Sequence, residues 1–354
     1  MSINKPVQLG LCCLNITLRE QKPTIFCSRS MIQRTILEEH GLEALKQKII
    51  MNCEDLIKMI EWNEKNGIKV FRISSNLFPH KTNPNTPHYD IDFVKHLLEN
   101  AGNLANKYNQ RITMHPGQYN VIGTPNPKCF KQTMLDLQYQ CSILDYMGMD
   151  NNSVMVVHGG GVYGDKQTTI KRWCKQFYEL PINVQNRLVI ENCEKSFSIE
   201  DCLYISNILN IPVVLDIHHF KCYTILHPQE KIFNIEYYIP LVLQTWIKRD
   251  IKPKFHISEQ GSGRCGHHSD YIENIPSYLM NIPNKYNIHI DIMIEAKKKE
   301  FAIFHLYKLY PILNCKTKKY IKFKIKTKKY IKFKIKTKNN VNIRFNRHFI
   351  DGKM

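Results

Sequence analysis

The stretch PVVLDIHHF, from Pro212 to Phe220, combines the two features that decide the fold. It begins as a short apolar run with two valines, which is typical of a strand that is buried on both faces. It then continues with Asp216, His218 and His219, which are polar groups placed where such a strand would leave the core. Parallel barrels carry their reactive groups at the carboxyl ends of their strands, so the stretch predicts one of these strand ends.

Seven other segments of the same kind give eight predicted strands in all. Helical patterns lie between them, such as the apolar stripe from Phe93 to Leu104 and a helix predicted to start after Asn52 as its cap and to stop at Gly67. This alternation predicts a (β/α)₈ TIM barrel of roughly 300 residues. An open doubly wound sheet is the alternative, but the sequence has no glycine-rich dinucleotide loop. The predicted strands begin at Gln8, Ile68, Arg111, Ser153, Arg187, Pro212, Pro253 and Ile288.

Six successive predicted strands end in a histidine, a glutamate or an aspartate. A single histidine at a strand end usually has a structural role, but six such ends at one face of a barrel predict a site for several metal ions. Imidazole and carboxylate ligands without cysteine suit Mn²⁺, Zn²⁺ or Fe²⁺ better than Mg²⁺ or Ca²⁺. The predicted ligands at these ends are His115, His158, Glu191, Asp216, His219, His256 and Glu295.

Five further assignments concern the surroundings of these ligands. Glu191 is placed to bridge two ions, and His268, which follows the glycine-rich stretch EQGSGRCG, is predicted as a ligand from a loop. His267 is left open between a site residue and an exposed one, and His218 is predicted to brace a neighbouring group. Lys254, two residues before the histidine of the seventh strand, should face inward. There it could stay neutral, pair with a phosphate or become a carboxylated ligand, unless it reaches out to the rim.

The positive charge of the chain is concentrated at its carboxyl end. The net charge is +19, and residues 315–354 contribute +14 of it, which leaves +5 for the rest. The segment TKKYIKFKIK occurs at Thr317–Lys326 and again, unchanged, at Thr327–Lys336. We therefore predict a barrel domain at residues 1–313 and a flexible, low-complexity basic tail at residues 314–354, which would attract polyanions.

The sequence contains none of the features that predict a secreted or membrane protein. No apolar run reaches 18 residues, and the first residues lack the pattern of a signal peptide. The twelve cysteines have no zinc-like or framework spacing, which is typical of reduced thiols. The prediction is an intracellular protein of the nucleus or cytoplasm, with no membrane association and no protein partner implied.

Ten segments of the chain form a specific set of motifs: LGLCCLN, FCSRS, RISSNLFPH, LANKYNQRITMHPGQYN, GDK, VIENCE, PVVLDIHH, KFHISE, HHSDYI and IMIEAKKKE. Taken together, these motifs resemble the ultraviolet damage endonucleases, most closely their eukaryotic-type branch. The resemblance implies a (β/α)₈ barrel and ATP-independent incision of damaged duplex DNA immediately 5′ to the lesion. The implied lesions are cyclobutane pyrimidine dimers, 6-4 photoproducts and abasic sites. Two or three ions are expected, with Mn²⁺ as the usual metal and Zn²⁺ or Mg²⁺ left open.

The resemblance also implies roles for particular residues. It supports the eight ligands named above and assigns Lys254, with the bridging glutamate, to the catalytic group. Gln118 and Tyr119 match a pair that resembles a wedge into the DNA stack at the lesion, where an aromatic ring can fill the gap left by extruded bases. Leu11 stands where some members carry an aromatic residue, and it is expected to wedge less well. Asn15 matches a family polar residue near the DNA, with a plain turn residue as the alternative.

Two other functions share part of this pattern. A metal-dependent sugar isomerase on the same barrel would use the same kinds of ligands, and a catalytically inactive DNA-binding barrel would keep the basic charge. The loop GQYN argues against the first function, and the intact set of ligands argues against the second. Nicking of irradiated plasmid in Mn²⁺, with undamaged plasmid left intact, would separate the three.

Overall fold

Eight parallel strands form the core of the protein in a computed structural model that describes residues 7–315. Their order around the sheet is β3-β2-β1-β8-β7-β6-β5-β4. A parallel bridge between Met114 and Met155 joins the end of β3 to β4 and closes the sheet. The predicted TIM barrel is therefore confirmed. The strands are β1 (Val7–Cys12), β2 (Val70–Arg72), β3 (Arg111–Thr113), β4 (Met155–His158), β5 (Leu188–Glu191), β6 (Val213–Asp216), β7 (Lys254–Ile257) and β8 (Ile290–Ile294).

Helices connect the strands, and their apolar faces cover the outside of the barrel. Two short 3₁₀ helices, Asp92–Val94 and Pro311–Leu313, accompany them. The α-helices among residues 7–315 are α1 (Ile16–Arg19), α2 (Gln33–Ile36), α3 (Gly41–Lys65), α4 (Lys95–Lys107), α5 (Pro127–Tyr146), α6 (Lys166–Phe177), α7 (Ile182–Arg187), α8 (Ile199–Leu209), α9 (Ile217–Leu226), α10 (Ile235–Ile247), α11 (Ser277–Tyr286) and α12 (Lys299–Leu309). None of these helices is both long and apolar enough to cross a membrane.

Asn52 does not cap a helix, so that prediction is wrong. Helix α3 begins earlier, at Gly41, and Asn52 is buried in its middle. The Asn52 side chain accepts a hydrogen bond from the Arg29 amide at 2.8 Å and donates to the carbonyls of Arg29 and Leu77 at 3.1 Å. These hydrogen bonds connect two loops to the helix, and they explain why a polar residue is buried at this position. Gly67, with a φ of +73°, follows the helix end as predicted.

The two faces of each strand meet different surroundings, because successive side chains point in opposite directions. Leu9, Leu11 and Phe71 face outward and join the core between barrel and helices. Val70 and Met293 lie in a separate small cluster with Cys12, inside the barrel. This division leaves the inward-facing positions at the strand ends for polar residues.

The segment just before residue 314, the predicted start of the tail, packs against the barrel. Leu313, in the last short helix, is only 3% exposed and packs with the core. The predicted flexible tail of residues 314–354, with its duplicated basic segment, lies outside the described residues from 316 onward.

Candidate metal centre

The inward-facing residues at the carboxyl ends of the later strands converge at the mouth of the barrel. His158 is the register partner of Glu191 on neighbouring strands β4 and β5. Asp216 is likewise the partner of His256 on β6 and β7. Paired strand ends lie at one level, so these four side chains share one end of the barrel. Two more predicted ligands, His115 after β3 and Glu295 after β8, complete this ring.

Glu191 lies at the centre of the ring and is fully buried. Its Oε2 atom lies 3.0 Å from Nε2 of His115 and 3.7 Å from Nε2 of His158. Its Oε1 atom lies 2.7 Å from Nδ1 of His256 and 3.9 Å from Nδ1 of His219. Each oxygen of one carboxylate therefore faces a different pair of imidazoles, which is the arrangement that a bridging ligand requires.

Two overlapping groups of side chains fit divalent cations. His115, His158 and Glu191 form one group, and Glu191, Asp216 and His256 form the other, with the candidate ligand atoms of each group within 4.8 Å of one another. Three of their buried atoms, Nδ1 of His158, Oδ2 of Asp216 and Nε2 of His256, have no hydrogen-bond partner among residues 7–315. Buried polar atoms are normally paired, so these atoms indicate room for a further ligand. Imidazole nitrogens with carboxylate oxygens suit Mn²⁺, Zn²⁺ or Fe²⁺.

Asn192, which the sequence analysis missed, orients the ligands at the end of β6 and just after it. Its side chain accepts a hydrogen bond from the Asp216 amide at 2.9 Å and donates to the Asp216 carbonyl at 3.1 Å. Its own carbonyl lies 3.0 Å from Nδ1 of His219. Carbonyls that hold one ring nitrogen in this way leave the other nitrogen for a metal. The available signal was a polar residue directly after a predicted ligand, in VIENCE.

The surroundings of the ring favour the protonation states that bind cations. Burial lowers the pKa of His158 to about 4 and also lowers the pKa of His256, so both imidazoles are neutral near pH 7. Burial alone would raise the pKa of Glu191, but His256 and His158 outweigh it and hold that pKa well below its ordinary value. Neutral imidazole and ionised carboxylate are the forms that coordinate a metal.

Asp216 of the ring and the neighbouring His219 on α9 hold protons that a cation must displace. Burial raises the pKa of Asp216 to about 7. Burial would lower the pKa of His219, but the carboxylates of Asp216 and Glu191 outweigh it and raise that pKa to about 9. Protons compete with the cation below these values, so the affinity of the metal-free protein for Mn²⁺ should rise with pH between about 6 and 9. Calorimetric titration in two buffers of different ionisation enthalpy should show proton release, and an affinity independent of pH would contradict this expectation.

Lys254 lies inside the barrel, two residues before His256 on β7, and is fully buried. Its Nζ atom donates a hydrogen bond to Oγ1 of Thr113 at 2.8 Å. Burial, with the guanidinium groups of Arg111 and Arg72 nearby, lowers the pKa of Lys254 to about 7. The amine therefore does not reach the rim, and near neutral pH it is present in both charged and neutral forms.

His268 reaches the ring from the loop after β7. An antiparallel bridge pairs it with Gln260, and Gly263 and Gly266 adopt positive φ values of +113° and +94° where the loop reverses. The Nε2 atom of His268 lies 3.9 Å from Oε2 of Glu295. This histidine is thus at the edge of the ring rather than in the two compact groups.

The two histidines that were not predicted as firm ligands lie outside the groups. His218 is buried, and its ring centroid lies 6.0 Å from that of His268 in an edge-to-face arrangement. Burial, followed by the nearby His219 and His268, lowers the pKa of His218 to about 4. His267 is exposed, and its Nδ1 atom lies 3.3 Å from the Ser262 carbonyl in the same loop.

Arg72 occupies the end of β2, for which the sequence analysis proposed no site residue. Its Nη1 donates to Oε1 of Glu295, and its Nη2 contacts the sulfur of Cys12 at the end of β1. Burial disfavours the charge on Arg72, but Cys12 and Glu295 outweigh it and raise its pKa. Burial likewise opposes the ionisation of Glu295, yet Arg72 holds the pKa of that carboxyl well below its ordinary value. The signal was a charged residue inside an apolar strand, in IKVFRIS.

Comparisons with known proteins identify the family to which the chain belongs. The family model described as UV-endonuclease UvdE matches residues 7–331. The chain belongs to this family. A UV-damage endonuclease of Schizosaccharomyces pombe is 37% identical over 329 residues, which are 88% of this chain and 53% of the relative. A protein of Acanthamoeba polyphaga mimivirus, whose name assigns it provisionally to the same activity, is 38% identical over 309 residues, 86% of this chain and 91% of the relative.

Among solved structures, the crystal structure of SacUVDE matches this member of the UvdE family with a TM-score of 0.73 and 29% identity. The match covers 87% of this chain and 99% of the SacUVDE chain. By contrast, the chain spans about half the length of two fungal relatives, from Schizosaccharomyces pombe and Neurospora crassa. The barrel as a whole is therefore shared with a solved structure, and the fungal relatives contain further sequence.

Gln118 and Tyr119, which the family resemblance singles out, project from a turn beside His115. Both are exposed, Tyr119 by 64%. The Asn120 amide donates to the Gly117 carbonyl at 2.9 Å and closes the turn. A buried carboxylate on α5 anchors it from below: Oδ2 of Asp136 accepts a hydrogen bond from Nδ2 of Asn120 at 2.6 Å and lies 3.5 Å from the Tyr119 hydroxyl.

Leu11 and Asn15 do not take the positions that the resemblance implied. Leu11 is 0% exposed because it points outward into the helical layer, while the neighbouring Cys12 points into the barrel. The prediction that Leu11 contacts DNA is therefore wrong. Asn15 is 2% exposed, and its side-chain oxygen accepts a hydrogen bond from the Leu18 amide at 2.8 Å, which caps α1. Its place corresponds to the alternative, a local turn residue, and leaves almost no surface for DNA.

Proposed function

We propose that this chain is a DNA-repair endonuclease that hydrolyses a phosphodiester bond of ultraviolet-damaged duplex DNA at the ring around Glu191. One observation carries the proposal: Glu191 belongs to both groups of candidate ligand atoms and turns one carboxylate oxygen toward each. Sites for two neighbouring cations are typical of enzymes that hydrolyse phosphate esters. Membership of the UvdE family supports damaged DNA as the substrate.

The finer part of the proposal concerns the cut and the ions. We propose incision immediately 5′ to cyclobutane pyrimidine dimers, 6-4 photoproducts and abasic sites, with two or three ions of Mn²⁺, although Zn²⁺ or Mg²⁺ would meet similar ligands. The sequence motifs of the family support this assignment. The residues that would hold the ions are His115, His158, Glu191, Asp216, His219, His256, His268 and Glu295.

The chemistry divides between the ions and the chain. When bound, such ions would supply the activation of a water molecule and the stabilisation of the oxygens of an in-line displacement. The chain holds Glu191 between the two groups, and Asn192 keeps Asp216 in place. Lys254 is the second catalytic candidate, because its buried amine titrates near neutral pH beside the ring. It acts there either as a cation toward the phosphate or, once carboxylated, as a ligand.

Gln118 and Tyr119 are proposed to recognise the lesion. They are exposed on a turn that follows His115 closely in sequence, so a duplex whose phosphate reaches the ring also meets this turn. The tyrosine ring can fill the space left by extruded bases, and the glutamine amide can bond to their orphaned partners. The hydrogen bond between Asn120 and Asp136 fixes the turn before DNA arrives.

The test is a plasmid-nicking assay with the full chain. Irradiated supercoiled plasmid should be converted to the open circle in Mn²⁺, while unirradiated plasmid and chelator-treated reactions remain intact. Binding of irradiated plasmid without nicking would favour the inactive DNA-binding barrel. If neither plasmid is bound or cut and the protein interconverts ketose and aldose sugars, the isomerase alternative would replace this proposal.

The basic segment beyond the described residues gives an independent prediction. Truncation after Cys315 removes most of the net charge of the chain but keeps Leu313, which packs with the core. Each phosphate contact contributes about −0.9 to the slope of log K against log salt, so the truncated protein should bind duplex more weakly and with a shallower slope. Damaged and undamaged duplex should lose affinity alike, and single-turnover incision at saturating protein should hardly change. Loss of saturated incision in a folded truncated protein would contradict this division.

A further inference from the structure

Two adjacent cysteines at the end of β1 form a sulfur pair that the proposed mechanism does not use. The sulfurs of Cys12 and Cys13 lie 3.9 Å apart. The Arg72 guanidinium touches both: its Nε atom lies 3.4 Å from the Cys13 sulfur, and its Nη2 contacts the Cys12 sulfur. The pair and the arginine form a compact unit at the carboxyl ends of β1 and β2.

The backbone holds the Cys13 sulfur against Arg72 in an unfavourable conformation. Cys13 has a φ of +63°, which is disfavoured for a residue with a side chain. A hydrogen bond of 2.8 Å from the Leu14 amide to the Cys12 carbonyl closes a three-residue turn around it, and the Cys13 amide donates to the Arg72 carbonyl at 2.9 Å. Local strain of this kind persists where surrounding contacts enforce it, often at functional sites.

The same arginine connects the sulfur pair to the candidate metal centre. Its Nη1 donates to Oε1 of Glu295, an oxygen that also lies 3.3 Å from Nδ1 of His256. Any change at the sulfurs that moves the guanidinium therefore moves a carboxylate that is proposed to hold a cation. Cys12 is buried, but Cys13 is partly exposed, so a small oxidant can reach one sulfur of the pair.

Charge prepares Cys13 for that reaction. The hydrogen bond with Cys12 and the charge of Arg72 hold the pKa of Cys13 well below its ordinary value, although burial opposes this. The thiolate is the reactive form of cysteine, and a cationic neighbour is typical of reactive thiols. The twelve cysteines of the chain are all reduced in the structure, and this pair combines a short sulfur–sulfur distance with an arginine.

We propose that Cys12 and Cys13 are an oxidisable thiol pair, which a hydroperoxide converts to a disulfide, and that this conversion weakens cation binding through Arg72 and Glu295. The Cys13 thiolate attacks one oxygen of the peroxide, the O–O bond breaks, and a sulfenic acid and hydroxide form. The Cys12 thiol then attacks that sulfur, the S–S bond forms, and water leaves. Two thiols lose two electrons and two protons, and hydrogen peroxide becomes two water molecules.

The consequence for the site follows from the contacts of Arg72. A disulfide is a poorer hydrogen-bond acceptor than a thiolate and carries no negative charge, so the guanidinium loses both sulfur partners. Glu295 then becomes the remaining anion beside Arg72, and the ion pair between them strengthens. Glu295 is therefore less available to bind the cation. This inference rests on the proposed function only in taking Glu295 as a cation ligand.

The experiment uses the full-length, metal-free protein treated with hydrogen peroxide and then with catalase. Peptide mapping after alkylation should show a loss of two hydrogens in the peptide that contains Cys12 and Cys13. Calorimetric titration should show at least tenfold weaker Mn²⁺ binding, and dithiothreitol should restore it. The Cys13→Ser and Cys12→Ser variants should form no such disulfide, and their Mn²⁺ affinity should not respond to peroxide. Cys129→Ser, which removes an exposed cysteine on α5, is the matched control and should behave as wild type.

The outcomes separate this inference from the proposed function. If peroxide leaves both thiols of the wild-type protein alkylatable, or forms the disulfide without changing Mn²⁺ affinity, the inference is overturned, even if irradiated plasmid is still nicked. If the disulfide forms and reversibly weakens Mn²⁺ binding while irradiated plasmid is never nicked, the inference stands and the proposed function fails. Because the mapping and titration use the wild-type chain, a serine variant that does not fold leaves the test intact.

Discussion

The Glu191→Gln protein should bind damaged duplex and fail to cut it. Each Glu191 oxygen faces a different pair of imidazoles, at 3.0 Å and 2.7 Å for the closest contacts, so one substitution disturbs both groups of ligands. The amide keeps the volume of the side chain but removes its charge and one of its two oxygens. Loss of a group that only supports a metal ligand typically costs 10–100-fold in affinity or activity, so loss of a shared ligand should cost more than roughly 100-fold in incision rate.

Single-turnover incision and Mn²⁺ titration should be measured on the same preparation. The matched control is Glu194→Gln, which makes the same chemical change three positions along the chain, outside the two groups of ligand atoms. The control should cut at the wild-type rate. An incision rate for Glu191→Gln close to that of the control, with two Mn²⁺ ions still bound, would remove Glu191 from the centre of the proposal.

Tyr119→Ala should reduce the preference for damaged DNA more than it slows the cut. The ring is 64% exposed on an anchored turn, so it makes few contacts within the protein that stability would depend on. Stacking of a base on an aromatic side chain is worth about 1–3 kcal/mol, which predicts a roughly 10- to 100-fold loss of affinity for damaged duplex. Affinity for undamaged duplex should change little.

Fluorescence anisotropy with a duplex that carries one pyrimidine dimer, and with the undamaged duplex, gives the ratio directly. Tyr119→Phe keeps the ring and should retain the preference for damaged duplex. The lost hydroxyl makes only a long contact of 3.5 Å with Asp136, so its removal should disturb the turn little. Tyr204→Ala is the matched control, since Tyr204 is also exposed, by 54%, but lies on α8. An unchanged ratio of damaged to undamaged affinity in Tyr119→Ala would end its role in recognition.

The sequence predicted the parts of this fold that depend on local periodicity. Short apolar runs with polar residues at their ends identify parallel strands, and all eight predicted strands are present. The strand-end rule also brought together residues as distant as His115 and Glu295, because parallel strands end on one face. The start of α3 was missed because Asn52 has the chemistry of a cap and is used instead to bind the loops at Arg29 and Leu77.

Residues whose roles depend on distant partners could not be predicted in this way. Arg72 donates a hydrogen bond to Glu295, which is 223 positions away in the sequence. The sequence around either residue does not indicate that the two are in contact. In the sequence, Asp136 is an ordinary acidic residue of a helix. Its role in anchoring the turn depends on the hydrogen bond from Asn120, which only the structure shows. Leu11 was misplaced for the opposite reason: a resemblance gave its position in the chain, but the alternation of β1 decides that it faces the helices.

The place where the barrel closes has a consequence for its dynamics. Strands β3 and β4 meet through one bridge, Met114 with Met155, and His115 and His158 follow on its two sides. Local opening should be easiest at such a short joint, since few backbone hydrogen bonds have to break. A cation shared by His115 and His158 would span that joint, so each opening event would first have to release the ion. Amide hydrogen exchange in these two strands should therefore slow as the cation concentration rises. The bound cation would then stabilise the closed sheet as well as the site.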